Sequence, residues 1–280
     1  MYPTHVFSLF PPFPRDETVF IAMSFDPRFD ARWHDVIAPA VRRVVFKDKH
    51  LEPVRVDARS ISDSILTEIQ SGIAKSRLIF ADITTIGHLE EKPIRNGNVM
   101  YEIGLAQAVR LPEEIILFCS DEDPLLFDTS TIRVNSYSPD DAPEKARDAV
   151  ADALAESLKE LDLRKLLAVQ KAVEMLDIPS LYLLFESLGP QDVLHPQMKT
   201  MGNLLANTAR ATAISRLLEM GALRTKYLHV TPELLDQIGE LPSDPLKYEC
   251  TEFGNAVVDE VSERLGFSSP ELRDVLEKRT

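Results

Sequence analysis

The segment Asn96-Gly-Asn-Val-Met-Tyr-Glu-Ile-Gly-Leu-Ala106 gathers the side chains best suited to chemistry. Asn98 reads as the cap of a helix over 99–109, and Gly97 allows a tight approach before it. Glu102 then lies one turn inside, where the positive end of the helix dipole favours the carboxylate. A carboxylate held ionised suits a nucleophile better than a proton donor. Gly104 leaves room beside it, and Tyr101 offers a flat surface for a heterocyclic ring. Upstream, Asp82 ends the apolar run Arg77-Leu-Ile-Phe-Ala-Asp82, and Ser24 and Asp26 follow the run Thr18-Val-Phe-Ile-Ala-Met23. Each residue also has a plainer reading: Glu102 as a surface glutamate, Asp82 as a cap, Ser24 and Asp26 as turn formers.

Where these groups lie depends on the elements that carry them. Short apolar runs at 18–23, 52–56, 77–82, 114–118 and 131–134 predict strands. They alternate with helical patterns at 30–45, 64–75, 99–109 and 140–161. The first half therefore predicts parallel βαβ units in a sheet covered on both faces. Pro39 should kink or divide the first helix, and Ser62 reads as the cap of the second. Such sheets take ligands beyond the carboxyl ends of their strands. Those ends carry Ser24-Phe-Asp26, Asp57, Asp82 and Asp121-Glu-Asp123. The connection 83–97 reads as irregular, and loops of that length are usually functional or disordered.

Near residue 162 the texture changes. Residues 163–186 are helical and Leu-rich, and 207–221 predicts a helix ending in Gly221 at the C′ position. Strands are expected at 224–230 and 246–251, then a helix at 255–265 opened by Thr251-Glu-Phe-Gly254. Ile214-Ser-Arg-Leu-Leu-Glu-Met-Gly-Ala-Leu223 followed by Tyr248-Glu-Cys-Thr-Glu-Phe-Gly254 resembles bacterial winged-helix modules. The expected organisation is an extended arm (1–17), an α/β domain (18–162) and a mostly helical, winged-helix-like domain (163–280). The Leu stripe from Leu154 to Leu167 reads as core or dimer seam.

The 280 residues carry 31 Lys+Arg against 45 Asp+Glu, a net charge of -14. That balance argues against a protein built mainly to grip nucleic-acid phosphates. From Lys165 onward 12 basic residues face 17 acidic ones, so the winged-helix half is itself acidic. Its basic candidates are Arg210, Arg216, Arg224 and Lys226, and the strand-linking loop adds Glu233, Asp236, Glu240 and Asp244. A protein partner or self-association is expected of it before DNA. Cys119 and Cys250 are too few for a disulfide framework or a cysteine-built zinc site. The histidines lack metal-ligand spacing and no Gly-rich phosphate loop occurs, so no metal is expected. No apolar stretch nears the ~20 residues that span a bilayer, and residues 1–15 lack a signal-peptide pattern. The expectation is a cytoplasmic protein with no membrane partner.

Taken in order, Phe20-Ile-Ala-Met-Ser-Phe-Asp26, Ile65 to Ile73, Ala81-Asp-Ile-Thr84, Gly97-Asn-Val-Met-Tyr-Glu-Ile-Gly-Leu-Ala106 and Phe127-Asp128 resemble the nucleoside 2-deoxyribosyltransferase-like superfamily. Its relatives include TIR-like proteins that cleave NAD. The resemblance covers roughly residues 19–137. It implies a flavodoxin-like parallel sheet. It also implies cleavage of an N-glycosidic bond in NAD or a nucleoside or nucleotide, by hydrolysis or ribosyl transfer, with no cofactor. Glu102 would attack or stabilise the anomeric carbon, and Asp82 would lie near the base or sugar. Ser24 and Asp26 would line the sugar pocket, with Asn98 and Tyr101 also facing substrate. An acidic residue of the second helix, Asp63 or Glu68, would contribute as well. The TIR-like relatives suggest a setting in bacterial stress or antiviral defence. The competing expectation is a nucleotide-sensing regulator without turnover, whose winged helix binds DNA or protein.

Overall fold

Apolar runs with no polar alternation mark strands buried on both faces, and that is how the first half of the chain folds. A computed structural model describes residue 11 and residues 14–56, 65–125, 133–188, 193–194, 204–227 and 246–266. The chain divides into two units, residues 1–164 and 165–280. In the first, β1 (Asp16–Ala22), β2 (Glu52–Val54), β3 (Ser76–Asp82), β4 (Ile115–Cys119) and β5 (Val134–Ser136) form one all-parallel sheet. Their order is β2-β1-β3-β4-β5, that of flavodoxin-like doubly wound sheets.

Strand alternation divides the interior into two cores. Val19, Ile21, Leu78, Phe80, Ile116 and Phe118 face one side of the sheet. There α1 (Ala38–Arg43) and α4 (Pro143–Met175) cover them with Ala40, Val41, Val150 and Leu154. Phe20, Ala22, Ile79, Ala81, Ile115 and Leu117 face the other. There α2 (Ile65–Lys75) supplies Ile73, and α3 (Gly97–Val109) supplies Val99, Ile103 and Ala106. A six-residue helix such as α1 is too short to stand alone, so packing sustains it. Buried Arg110 joins three elements: it donates to both Glu114 carboxylate oxygens and to the carbonyls of Ile73, Ser76 and Arg77.

Pro39 divides the first helix, as its missing N–H requires. A π-helical segment, Arg32–Ile37, widens the turn so that the Ala38 N–H reaches the Trp33 carbonyl, and α1 resumes with Pro39 in its first turn. Two expectations fail. Residues 83–97 are not irregular: Thr85–Leu89 pairs with Lys92–Arg95 as a hairpin. Its turn uses Glu90 and Glu91 at φ 48° and 66°, where Asn-Gly or Asp-Gly would have signalled it. Residue 162 marks no helix break either, because α4 runs through it. The break comes at Asp177, which caps α5 (Ile178–Glu186) ahead of Pro179. Among the described residues the fifth strand is Val134–Ser136; residues 131 and 132 of the expected span lie outside them. Asp57, Ser62, Asp63, Phe127, Asp128, Glu233, Asp236, Glu240 and Asp244 lie outside the described residues.

The second unit contains α5, β6 (Val193–Leu194), α6 (Leu204–Glu219), β7 (Leu223–Tyr227), β8 (Leu246–Cys250) and α7 (Glu252–Leu265). Its antiparallel sheet has the order β6-β8-β7. Gly221, at φ 76°, ends α6 as expected: the N–H groups of Gly221 and Ala222 close on the carbonyls of Leu218 and Leu217. Thr251 caps α7 by accepting the Gly254 N–H at 3.0 Å. Among the described residues no helix is long and apolar enough to cross a membrane.

Candidate functional site

Strands β2 and β3 flank β1 on opposite sides, so the chain switches direction across the sheet there. Doubly wound sheets take ligands at that point. After β1 the chain runs into Ser24, and Asn96 sits across from it. Asn96 Nδ2 donates to Ser24 Oγ at 3.1 Å, while its Oδ1 accepts the backbone N–H groups of Asn98 (3.0 Å) and Val99 (3.4 Å). Asn96 is therefore the cap of α3, not Asn98, which lies within the first turn. Two asparagines two residues apart both qualify as caps by type. The bond to Ser24, invisible in local sequence, belongs to Asn96.

This earlier start makes Glu102 the sixth residue of α3, past the first turn where the dipole acts. Glu102 is half-buried, and among the described residues it has no hydrogen-bond or ion-pair partner. Burial without compensation pushes its carboxyl from the ordinary 4.5 up to about 7. The expected bias toward the carboxylate is thus reversed by desolvation. A Cβ added at Gly97 or Gly104 would meet nothing within 4 Å, so packing requires neither glycine and the space beside both is open. Tyr101 is exposed, and Glu68 is half-buried on α2, which packs against α3.

Asp82 is buried, with 1% of its side chain exposed. Its carboxylate accepts from Arg32 Nη1 (3.3 Å), the Tyr137 hydroxyl (2.8 Å), the Thr84 N–H (3.0 Å) and the Thr84 hydroxyl. Arg32 also grips Asp140 at 2.5 and 3.1 Å. Burial, then the Asp82 charge, raises the Tyr137 hydroxyl well above the ordinary tyrosine range. Arg32 and Tyr137 carried no signal near Asp82 in sequence; an arginine within the apolar pattern 30–45 was the available clue.

Asp26 serves the loop. It accepts the Arg28 N–H at 3.0 Å, capping the short 3-10 turn Pro27–Phe29, and pairs with the Arg28 guanidinium at 2.7 Å. Hydrogen bonds from Arg28 hold its carboxyl at about 2. Arg28 also donates to the Ile86 carbonyl at 2.8 Å, tying this loop to the hairpin. The hairpin's inner end is held by buried Arg95, which donates to the Ile83 carbonyl, to Asp121 at 3.3 Å and to the Asp123 carbonyl at 3.1 Å.

A separate cavity of about 490 Å³, among Ile115, Asn135, Glu156 and Glu160, contains none of these residues. Among the described residues no cluster of three His, Cys, Asp or Glu could hold a metal ion. In the second unit every cation singled out from sequence meets a carboxylate. Arg210 pairs with Glu186, Arg216 with Asp177, and Arg224 and Lys226 with Glu249.

No protein-family model and no curated protein matches the chain. Among solved structures, it is similar to the metal-soaked Flv1 flavodiiron core from Synechocystis sp. PCC6803, at 14% sequence identity and a TM-score of 0.36. The match covers 51% of this chain and 36% of that one, so the chain spans little more than a third of that structure's length. A likeness this low assigns no function.

Proposed function

We propose that the first unit cleaves the N-glycosidic bond of NAD or of a nucleoside or nucleotide, with Glu102 acting at the anomeric carbon. The observation that carries this reading is Glu102 itself: a half-buried carboxyl, unpartnered among the described residues. An acid buried without a partner costs stability, and strongly perturbed acids concentrate at functional sites. The resemblance of residues 19–137 to the nucleoside 2-deoxyribosyltransferase-like superfamily supplies the reaction class. A regulator that only bound a nucleotide would have no use for such a group.

The sugar–nitrogen bond breaks and its electron pair departs with the base. The sugar takes on oxocarbenium character, and the Glu102 carboxylate pairs with it or bonds to it covalently. Water, or a second base in a transferase, then adds at the same carbon. Nicotinamide leaves as a neutral molecule and needs no proton. A neutral nucleoside needs one from a second acid or from water, because the Glu102 carboxylate is engaged at the anomeric carbon. Ser24, Asn98 and Tyr101 would contact substrate. Asp82, with four donors on its carboxylate, would hold the end of β3 in place rather than bind the sugar.

The second unit we read as a winged-helix-like module that contacts protein or a second copy of the chain. Its candidate phosphate-binding cations are occupied by Glu186, Asp177 and Glu249. The whole would suit bacterial stress or antiviral defence. The test is incubation with NAD and a nucleoside panel, following base release by chromatography. Activity lost in Glu102→Gln supports the reading. No release from any substrate, in dilute and concentrated samples alike, overturns it.

A further inference from the structure

Asn96-Gly97 is the single Asn-Gly pair in the chain. A glycine after asparagine leaves its own amide nitrogen unshielded, so the backbone can close on the preceding side chain. Gly97 is exposed to water and Asn96 is half-buried. Asn96 caps α3, and Gly97 is its first residue. Three hydrogen bonds pin the Asn96 amide: Oδ1 accepts the N–H groups of Asn98 and Val99, and Nδ2 donates to Ser24 Oγ. Ser24 and Val99 are buried, so the anchors on both sides are held by packing. At ψ 116° the Gly97 nitrogen is turned away from Asn96 Cβ.

We infer that Asn96 is a deamidation site, held latent by the cap of α3 and converted when the first turn of that helix opens. In the reaction the Gly97 N–H gives its proton to solvent base, and the nitrogen bonds to Asn96 Cγ. The Cγ–Nδ2 bond breaks, and ammonia leaves after taking up a proton from water. Water then opens the succinimide at either carbonyl, leaving aspartate or isoaspartate. Ring closure needs ψ to rotate until the Gly97 nitrogen lies beside Cβ. That rotation swings the first N–H groups of α3 off Oδ1, so ring and cap exclude each other. Opening of one turn is a local event that needs no global unfolding. The products leave different marks. Aspartate keeps an oxygen for the cap but loses the donor to Ser24. Isoaspartate lengthens the main chain by a methylene just ahead of the helix that carries Glu102. Transient fraying of α3 thus becomes a covalent change, whatever reaction Glu102 serves.

The test is incubation of the full chain at pH 8, folded and in guanidinium chloride, followed by tryptic cleavage. Cleavage after Arg95 and Arg110 frees residues 96–110, which hold both Asn96 and Asn98. Tandem mass spectrometry follows each asparagine separately. In denaturant Asn96 should convert well ahead of Asn98, whose neighbour Val99 is β-branched. In the folded chain Asn96 should convert about tenfold or more slowly than in denaturant. Ser24→Ala removes one anchor and should raise the folded rate about fivefold, with the denatured rate unchanged. Thermal unfolding verifies that this variant folds. Gly97→Ala, whose methyl would meet nothing within 4 Å, should suppress conversion in both states. Equal rates in the folded and denatured chain, an Asn96 no faster than Asn98 in denaturant, or a folded rate indifferent to Ser24→Ala overturns the inference.

Discussion

Replacing Glu102 by glutamine should stabilise the protein near pH 8 and leave it unchanged near pH 4. The Glu102 carboxyl titrates at about 7 in the folded chain, against an ordinary 4.5, because burial removes water and supplies no partner. Below 4.5 the folded and unfolded chains both carry the proton, and the group makes no difference. Between 4.5 and about 7 the unfolded chain gives up its proton first, so folding must take one up and stability falls as pH rises. Above about 7 the whole penalty is in force. A tenfold difference in proton affinity is worth about 1.4 kcal/mol, which sets an upper bound of about 3 kcal/mol. Water at the half-exposed side chain lowers the expected value to about 1–2 kcal/mol. Glutamine has nearly the same shape and no charge at either pH, so it escapes the penalty. Urea unfolding of both proteins at the two pH values measures the difference directly. Equal stability at pH 8, or a gap that ignores pH, would refute the desolvation argument whatever the protein's activity.

Other perturbations separate the roles of nearby residues. Arg110→Met strands buried Glu114 and three carbonyls, and should cost about 3–5 kcal/mol in urea unfolding; Glu114→Gln in that background should recover part of it. Asn96→Ala removes the α3 cap, with a loss of about 1 kcal/mol and faster amide hydrogen exchange at Asn98 and Val99. In Gly72→Ala the new methyl would lie 2.6 Å from the Phe20 ring, and thermal unfolding should report a loss of about 1–3 kcal/mol. If NAD is cleaved with Glu102 as nucleophile, kcat/KM should rise with pH and level off above about 7; a rate that falls through that range would point to Glu102 as the acid.

The parallel sheet was legible because its central strands β1, β3 and β4 carry short apolar runs, and burial on two faces makes such runs distinctive. Pro39 announced its break through covalent chemistry alone. The hairpin at 85–95 was hidden because its turn places two glutamates in the left-handed region, against their preference. The site was legible by residue type and obscure by partnership. Glu102 was singled out, but its protonation follows from burial without a partner, and the helix cap proved to be Asn96, whose bond to Ser24 spans 72 residues. Asp82 was found at its strand end, yet Arg32 and Tyr137, which occupy its carboxylate, arrive from 50 and 55 residues away. Likewise, the acidic count suggested that the second unit avoids DNA, but only folding pairs Arg210 with Glu186.

The Asn96 amide also fixes a polarity. Its oxygen must face the helix, since two backbone N–H groups point at it, so its nitrogen must face Ser24. The Asp26 N–H donates to the same Ser24 oxygen at 3.2 Å. With both lone pairs taken, the Ser24 hydroxyl is left with its proton to offer. The carboxyl edge of β1 therefore presents a directed donor that welcomes an oxygen acceptor and turns away a second donor. Asn96→Asp would still cap α3 but would draw that proton inward, reversing what the edge displays without moving a backbone atom.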